Sequence, residues 1–270
     1  MNVGFVGLGP VAGSLVAALV QAGALAPEEV WVYARPPAAR DRIPASLAGA
    51  QMAYSAAELA RRAGAVFLGG SPAEAAGALA EVGSSLTADN LLVLLDNTFT
   101  LAEAEARTEA RAAKVIPSVA HAVRRGVSLL VFGERCTPQD RTGLLRLMGA
   151  VSRPYVVPEE AVRAAADLTA CGPAFLGLVQ QALADAARAR APALSREDAI
   201  ALVRETALAT CELMAQTGYD FADVVHRVAA SGGPAAAGLD ALQPRLAGLW
   251  EAVLAATDGW EAAQRARLQP

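Results

Sequence analysis

A glycine-rich segment near the start of the chain has the spacing of an anion-binding turn. It follows a short apolar run at residues 2–6 and opens a helical stretch at residues 11–22. In a G-x-G-x-x-A pattern the first glycine allows a tight turn, the second lets the backbone approach a pyrophosphate, and the small third residue lets the helix pack on the strand. The amides at the helix start then bind the anion. We therefore predict a dinucleotide held by Gly7, Leu8, Gly9, Pro10, Val11 and Ala12.

The end of the second predicted strand selects between NAD and NADP. An acidic residue about 20 residues beyond the glycines would hydrogen-bond the ribose 2′-hydroxyl of NAD. This strand instead ends in Ala34-Arg35, without a carboxylate. A guanidinium can pair with a 2′-phosphate through two hydrogen bonds, so Arg35 favours NADP(H), with NAD(H) as the alternative and a solvated loop arginine as the plainer interpretation.

Several other side chains are chemically capable, and each also has a purely structural interpretation. Cys171 precedes a helix start, where its thiol could be activated, but a small packing residue at a tight turn is favoured. His121 could donate a proton, or it is a surface-loop histidine. Asn97 follows the fourth predicted strand, where doubly wound sheets bind ligands, or it belongs to an ordinary turn. Lys114 is the only lysine, so a mechanism that needs a catalytic lysine must use it.

The elements that must position these residues change type along the chain. The first half alternates short apolar runs with helical stretches, and Ser55, Thr100 and Thr137 stand at predicted helix starts. The predicted strands are residues 2–6, 30–33, 65–68, 91–95, 114–116 and 127–132. Buried strands separated by helices indicate an α/β fold with a Rossmann-type doubly wound parallel sheet.

After the last strand the predicted elements are all helical. They span residues 159–170, 173–190, 196–216, 221–230 and 236–257. Apolar residues surround much of the circumference of several of these helices, which exceeds the single stripe of a surface helix. We therefore predict an NAD(P)-binding domain at residues 1–157 and an all-α dimerisation and substrate domain at residues 158–270, which forms a homodimer and possible higher oligomers.

Composition excludes several classes of protein. The chain has 270 residues, 54% of them hydrophobic, which is enough for a full core. Three separated cysteines and two histidines predict neither a disulfide framework nor a structural metal. The net charge of −4 comes without a basic stripe, so nucleic acid is not an expected partner. With no predicted signal peptide or membrane span, we expect a cytoplasmic protein.

Motifs along nearly the whole chain resemble those of the pyrroline-5-carboxylate reductase family. In order they are Gly7 to Ala12, Ala34-Arg35, Ser71-Pro72, Lys114 to Ser118, Cys171 to Phe175 and Ser231-Gly232-Gly233. Within the family, Val115 to Ser118 and Phe132 to Cys136 are most similar to the ComER-like branch.

The resemblance implies a reductase that transfers a hydride from NAD(P)H to the C5=N bond of 1-pyrroline-5-carboxylate, which gives L-proline. It adds Ser71 and Pro72 to the cofactor site, beside Asn97, which is assigned there from its place at the strand end. It implies substrate binding by Ser118, Cys171, Gly172, Pro173, Ser231, Gly232, Gly233 and Ala235. Backbone amides of the glycine loop would hold the substrate carboxylate.

Four departures from the family pattern leave other functions open. Ser118 replaces an expected asparagine, Cys171 replaces a serine, and a loop expected to read Ser-Pro-Gly-Gly begins with Ala230-Ser231. Ala235 replaces a threonine that donates a hydrogen bond to substrate. The alternatives are a reductase of a different imine or carbonyl compound, and a non-catalytic NADP-binding regulatory protein. A β-hydroxyacid dehydrogenase mechanism is close to excluded, because the chain has no lysine after Lys114.

Overall fold

The chain folds around one eight-stranded sheet. The structure is a computed structural model and describes residues 2–33, 47–246 and 248–268. The strands are β1 (Val3–Val6), β2 (Val30–Tyr33), β3 (Gln51–Met52), β4 (Ala65–Leu68), β5 (Leu91–Leu94), β6 (Arg111–Ile116), β7 (Val127–Phe132) and β8 (Arg153–Val156). Their order is β3-β2-β1-β4-β5-β6-β7-β8, and neighbours from β3 to β6 are parallel. The chain therefore winds outward in both directions from the central pair, β1 and β4.

Helices cover both faces of this sheet, which confirms the doubly wound fold. Leu15 and Leu144 of α1 (Pro10–Gln21) and α5 (Pro138–Gly149) are buried in the core of one face. The other face carries α2 (Ala56–Arg62), α3 (Pro72–Val82), α4 (Leu101–Glu105) and α6 (Val162–Thr169). Because both faces are covered, β1, β4 and β5 are uninterrupted apolar segments with every residue buried.

The predicted helix starts are confirmed. The side-chain oxygens of Ser55, Thr100 and Thr137 each accept a hydrogen bond from the backbone N–H three residues further on. Each cap satisfies one of the amides that a helix N-terminus leaves without a partner. The caps therefore define where α2, α4 and α5 begin.

The sheet is mostly parallel, as predicted, but it contains one antiparallel pair that was not predicted. Strand β7 pairs antiparallel with β6. The connection between them runs only from Pro117 to Gly126 and contains a 3-10 helix at Val119–Val123. A parallel partner would need a crossover of a dozen or more residues, so this short connection requires the chain to reverse.

Two edge strands were not predicted. β3 pairs with β2 through only two residues, and β8 pairs parallel with β7 around Pro154. β8 is mostly exposed, so it lacks the apolar run that marks the central strands. Proline is tolerated there because an edge strand does not need every backbone N–H.

The rest of the chain is helical, as predicted, but with a different division at its end. The helices are α7 (Gly172–Arg190), α8 (Arg196–Thr217), α9 (Phe221–Ala229), α10 (Pro234–Leu246) and α11 (Leu249–Leu268). The single helix predicted at residues 236–257 is wrong, because α10 and α11 are separate. Gly248 has a positive φ of 75° between them, a left-handed conformation that ends a helix and that glycine adopts without strain.

The contacts divide the chain into two compact units. One contains Met1–Gly172 together with Thr257–Pro270, and the other contains Pro173–Ala256. The last part of α11 therefore belongs to the unit that holds the sheet. The predicted domains, residues 1–157 and 158–270, stay a prediction.

One helical stretch in the described part of the chain, Glu159–Arg190, is long and apolar enough to cross a membrane by length and composition alone. Helices of soluble proteins meet the same criterion.

Candidate active site

The turn after β1 lies at the centre of the sheet and is packed against the turn after β4. Gly7 has a φ of 80°, and an added Cβ there would lie 2.8 Å from the Gly69 carbonyl oxygen. A Cβ added to Gly69 would lie 2.7 Å from the Cβ of Ala12. Small residues are therefore required at all three positions for the two turns to meet. This is the point where the strand order reverses, and ligands of doubly wound sheets bind there.

The start of α1 has the free amides that an anion needs. Gly9 is the residue that precedes the helix, and no side chain in the described part of the chain caps it. An added Cβ at Gly9 would have only the Gly70 Cα nearby, at 3.9 Å. Pro10 occupies the first helical position, where a missing N–H costs nothing. Val11, the next residue of the helix, is 52% exposed, so the start of α1 is open to solvent. This open glycine turn fits the pyrophosphate of a dinucleotide.

The turn after β4 contributes a second helix start, but its polar groups are already engaged. The Ser71 hydroxyl accepts a hydrogen bond from the Glu74 amide at 3.4 Å, and the Glu74 carboxylate accepts one from the Ser71 amide at 2.7 Å. Pro72 is the first residue of α3. Ser71 and Pro72 therefore place α3 beside the predicted cofactor site, and the Ser71 hydroxyl serves as a helix cap.

Asn97, after β5, is tied into the protein through its whole side chain. Its Oδ1 accepts a hydrogen bond from Lys114 Nζ at 2.6 Å, and its Nδ2 donates one to Glu261 Oε1 of α11 at 2.8 Å. Its backbone oxygen accepts a hydrogen bond from Arg265 at 2.9 Å. As a cofactor residue Asn97 is thus suited to shape the site rather than to offer a free amide.

Lys114 lies in β6 and is fully buried. Its Nζ forms an ion pair with Glu159 Oε1 at 2.7 Å, and Glu159 also accepts a hydrogen bond from the Leu101 amide. Burial lowers the pKa of the Lys114 ammonium from its ordinary value, and the hydrogen bond to Glu159 opposes that shift. Lys114 is thus engaged on two sides by Glu159 and Asn97, which is the geometry of a structural cation.

Replacing Lys114 with methionine should destabilise the protein strongly. The change keeps most of the side-chain length but leaves Glu159 without its ion pair and Asn97 Oδ1 without its donor. Removing one partner of a buried pair costs about 3–5 kcal/mol, and because Glu159 is 31% exposed we expect about 3 kcal/mol. Urea unfolding followed by circular dichroism measures the free energy.

The control for this variant is Arg204→Met. Arg204 pairs with Glu205 on the surface, where the two side chains are 63% and 65% exposed. Losing such a pair should change the free energy of unfolding by no more than about 0.5 kcal/mol. A Lys114→Met variant as stable as Arg204→Met would contradict the structural role.

A cavity of about 270 Å³ brings several of the predicted residues together. Val11, Pro72, Asn97 and Cys171 all line it, and so do residues at the ends of β5 and β6 and on α6 and α11. Cys171 Sγ lies 3.5 Å from Arg163 Nη2, and Arg163 also pairs with Asp167. The cavity is therefore lined both by the predicted cofactor turn and by Cys171, the residue just before α7 begins at Gly172 and Pro173.

The environment of His121 fits neither a proton donor nor a surface-loop histidine, the two interpretations of the sequence. It is only 1% exposed, so the surface-loop interpretation is wrong. Its Nε2 lies 3.1 Å from the Ser128 hydroxyl and 3.3 Å from the Val127 oxygen, and burial lowers its pKa. A buried imidazole whose neutral form is favoured is a poor proton donor at neutral pH. Ser118 caps the same 3-10 helix by accepting a hydrogen bond from the Ala120 amide.

The predicted substrate loop lies in the helical unit and is open. Gly232 and Gly233 have φ values of 73° and 86°, and an added Cβ at either would meet no atom within 4 Å. Ser231 and both glycines are exposed, and Ala235 lies in the first turn of α10. The Gly232 amide donates a hydrogen bond to the Ala229 oxygen at 2.9 Å, so the Gly233 amide, just before the helix start, is the one suited to a carboxylate.

Some residues of the site escaped sequence reasoning, and one predicted residue lies outside the described structure. Gly69 could have been found, because two glycines directly after an apolar strand indicate a close approach. The partners of Asn97 on α11, Glu261 and Arg265, carry no local signal, since they are more than 160 positions away. Arg35 lies outside the described residues.

Family comparisons divide the chain into two matched segments. Residues 2–97 match the family described as "NADP oxidoreductase coenzyme F420-dependent". Residues 159–267 match the family described as "Pyrroline-5-carboxylate reductase dimerisation". The first segment contains the glycine turn, and the second contains the predicted substrate loop. NADP(H), the expected cofactor, is thereby confirmed at the level of the family.

Individual relatives agree with these matches. ComE operon protein 4 of Bacillus subtilis is 25% identical over 90% of this chain and 89% of its own length. Pyrroline-5-carboxylate reductase of Methanosarcina acetivorans is 26% identical over 90% of this chain and 89% of its own. The crystal structure of the Plasmodium falciparum pyrroline carboxylate reductase with NADP bound has the same fold, with a TM-score of 0.85, 20% identity and coverage of 100% of this chain and 98% of that chain.

The resemblance that the motifs indicated is thus confirmed by the segment matches and the relatives, and the fold agrees with it. Residues 2–97 match an NADP oxidoreductase family and residues 159–267 match the pyrroline-5-carboxylate reductase dimerisation family, and over 90% of its length the chain is similar both to a pyrroline-5-carboxylate reductase and to ComE operon protein 4.

Proposed function

We propose that the protein is an NADP(H)-dependent reductase of a cyclic imine, with 1-pyrroline-5-carboxylate as substrate and L-proline as product. The observation that carries this proposal is the uncapped, glycine-lined start of α1 at the point where the strand order reverses. Its connection to C=N reduction comes from the relatives that are pyrroline-5-carboxylate reductases.

The protein's own residues bind and orient the reactants. When bound, the reduced cofactor would supply the hydride that adds to C5 of the protonated imine. The proton already on the ring nitrogen remains there, so the product is a secondary amine. The start of α1 holds the pyrophosphate. The exposed loop at Gly232 and Gly233 binds the substrate carboxylate through the Gly233 amide, since the Gly232 amide donates to the Ala229 oxygen. Since His121 is buried and Lys114 is ion-paired, rate acceleration comes mainly from positioning.

Preference for NADPH over NADH is supported by the sequence at the end of β2. In the sequence, Arg35 follows soon after that strand, and no carboxylate stands beside it. A guanidinium recognises a phosphate through paired hydrogen bonds, whereas a carboxylate would repel it.

We also propose a homodimer built by the helices after residue 158. Large apolar side chains are exposed on those helices in the single chain, among them Leu178 at 72%, Leu183 at 61% and Phe221 at 75%. Exposed apolar surface of this kind marks an interaction site, and the match to a dimerisation family covers the same residues. Sedimentation should give twice the 27.6 kDa chain mass, and a stable monomer at micromolar concentration would contradict the dimer. Higher oligomers and a cytoplasmic location stay predictions.

The second candidate function is a non-catalytic, NADP-binding regulatory protein. It is favoured by the similarity to ComE operon protein 4 and by the substitutions at Ser118, Cys171 and Ala235. A third possibility is a reductase of another imine or a carbonyl compound. Oxidation of NADPH by pure protein that depends on an added imine separates catalysis from regulation.

If the protein is a weakened pyrroline-5-carboxylate reductase, Ala235→Thr should improve it. A hydroxyl in the first turn of α10 would restore a hydrogen bond to the substrate. We expect kcat/KM to rise about tenfold if the bond contributes about 1.4 kcal/mol in the transition state.

Ala237→Thr is the matched control for this gain. It adds the same hydroxyl to the same turn, but two residues apart on a helix do not share a face. No gain from Ala235→Thr, together with efficient reduction of another imine by the wild type, would show that the proline assignment is wrong.

A further inference from the structure

The end of the chain is fastened to the sheet along one stripe of α11. We call residues 257–268 the C-terminal segment. Thr257 Oγ1 donates a hydrogen bond to Asp167 Oδ2 at 2.8 Å, Glu261 binds the Asn97 amide, and Arg265 binds the Asn97 carbonyl oxygen. Residues four positions apart lie on one helix face, so these three form a single anchoring stripe. The adjoining face of the segment is thereby held in a fixed orientation.

That adjoining face carries Trp260 and Gln264, which line the 270 Å³ cavity described above. Trp260 is the largest side chain in the cavity wall and is 56% exposed. Three small residues, Gly70, Pro72 and Ala170, line the same cavity. An aromatic ring held at the edge of a cavity with small walls presents a flat surface to an occupant.

The position of the cavity identifies the occupant. Strand β2, whose end recognises the adenosine ribose in folds of this kind, lies on one side of β1. The cavity lies on the other side, at the ends of β5 and β6, where it includes Asn97, Ile116 and Pro117. A dinucleotide with its pyrophosphate at the start of α1 extends its nicotinamide half in this direction. The volume is just below the range of about 300–1,000 Å³ for whole small-molecule sites, as expected for part of a dinucleotide.

We propose that Trp260 packs against the nicotinamide half of the bound cofactor and positions it. The proposal rests on the proposed function, because it requires that the protein binds a dinucleotide. Trp260 offers a π-face to the nicotinamide ring. Because the bonds of Glu261 and Arg265 already hold this part of α11 in place, little conformational entropy is lost when the cofactor binds. The C-terminal segment is then a wall of the cofactor site, although it is far from the glycine turn in sequence.

The three tryptophans of the chain, Trp31, Trp250 and Trp260, allow a direct test. A Trp31→Phe/Trp250→Phe protein retains only Trp260, and acrylamide quenching then measures access to that indole with and without saturating NADP⁺. NADP⁺ is used rather than NADPH because it does not absorb the indole emission. We expect the cofactor to reduce the quenching constant at least twofold.

The matched control is the Trp31→Phe/Trp260→Phe protein, which retains only Trp250. Trp250 lies on α11 in the other compact unit and contacts Phe175, so its quenching should not change. Calorimetry adds a second measurement on single variants. Trp260→Leu should weaken NADP⁺ binding about tenfold, the equivalent of a stacking contact of about 1.4 kcal/mol, and Trp260→Phe should restore most of it.

Three results would overturn the proposal, and they are distinguishable. Unchanged quenching of Trp260 at NADP⁺ concentrations where calorimetry shows saturation would reject the Trp260 contact and leave cofactor binding intact. If Trp260 is protected from acrylamide in the absence of cofactor, and the protection increases with protein concentration, then the ring contacts a second copy of the chain instead of the cofactor. Absence of any heat of binding with NADP⁺ and NADPH would reject the proposed function together with this inference.

Discussion

Replacing Gly9 with valine should abolish cofactor binding while leaving the fold intact. Gly9 has ordinary extended backbone angles, with a φ of −64°, and the nearest atom to an added Cβ is 3.9 Å away. The side chain would therefore find space in the protein but would occupy the approach of the pyrophosphate to the start of α1. Losing two hydrogen bonds to a charged group, at about 1.5–3 kcal/mol each, weakens binding by at least about 100-fold. Calorimetry with NADPH measures this loss.

Two further glycine variants make the interpretation specific. Gly143→Val adds the same side chain in α5, where an added Cβ has no atom within 4 Å, and it should leave NADPH affinity unchanged. Gly7→Val should lower the melting temperature, because Gly7 has a φ of 80° and faces the Gly69 carbonyl. A Gly9→Val protein that still binds NADPH with the wild-type Kd would show that the pyrophosphate lies elsewhere.

Replacing Gly233 with valine should abolish turnover without affecting cofactor affinity. Gly233 is exposed, and a branched side chain beside its amide would block the approach of a carboxylate. We expect kcat/KM to fall by at least about 100-fold, the equivalent of about 2.7 kcal/mol. NADPH affinity should not change, because the glycine turn lies in the other compact unit.

The control for Gly233→Val must share its backbone strain. Gly218 ends α8 with a φ of 75° and also has no atom within 4 Å of an added Cβ. Gly218→Val therefore imposes a similar left-handed valine far from the loop in sequence. Equal losses of turnover in both variants would mean that strain, rather than a blocked carboxylate site, caused the effect.

Local signals in the sequence were sufficient for the central part of the fold. Fully buried strands such as β1 and β4 must be apolar throughout, and a capping residue such as Thr137 acts on an amide only three positions away. The glycine turn belongs to the same class, since its angles are set within a few residues. The pattern assigned a tight turn to Gly7 and ligand approach to Gly9, and the structure adds the reason: Gly7 is packed against Gly69, whereas Gly9 has open space beside it.

The features that were missed or wrongly assigned depend on distant partners. The direction of β7 follows from a short connection, and β8 is an exposed edge strand whose residues show no apolar run. Asn97 looked like a free ligand because Lys114 and Glu261 reach it only in the folded chain. His121 resembled a loop residue because the hydroxyl of Ser128, which helps to bury it, lies on the next strand.

The most direct test of the proposed function is NADPH oxidation by the purified wild-type protein with a panel of cyclic imines, repeated with NADH. We predict oxidation that depends on 1-pyrroline-5-carboxylate, forms L-proline in equal amount, is faster with NADPH than with NADH, and is lost in Gly9→Val. Bound NADPH that no imine in the panel oxidises would contradict the assignment as a reductase and favour the regulatory alternative.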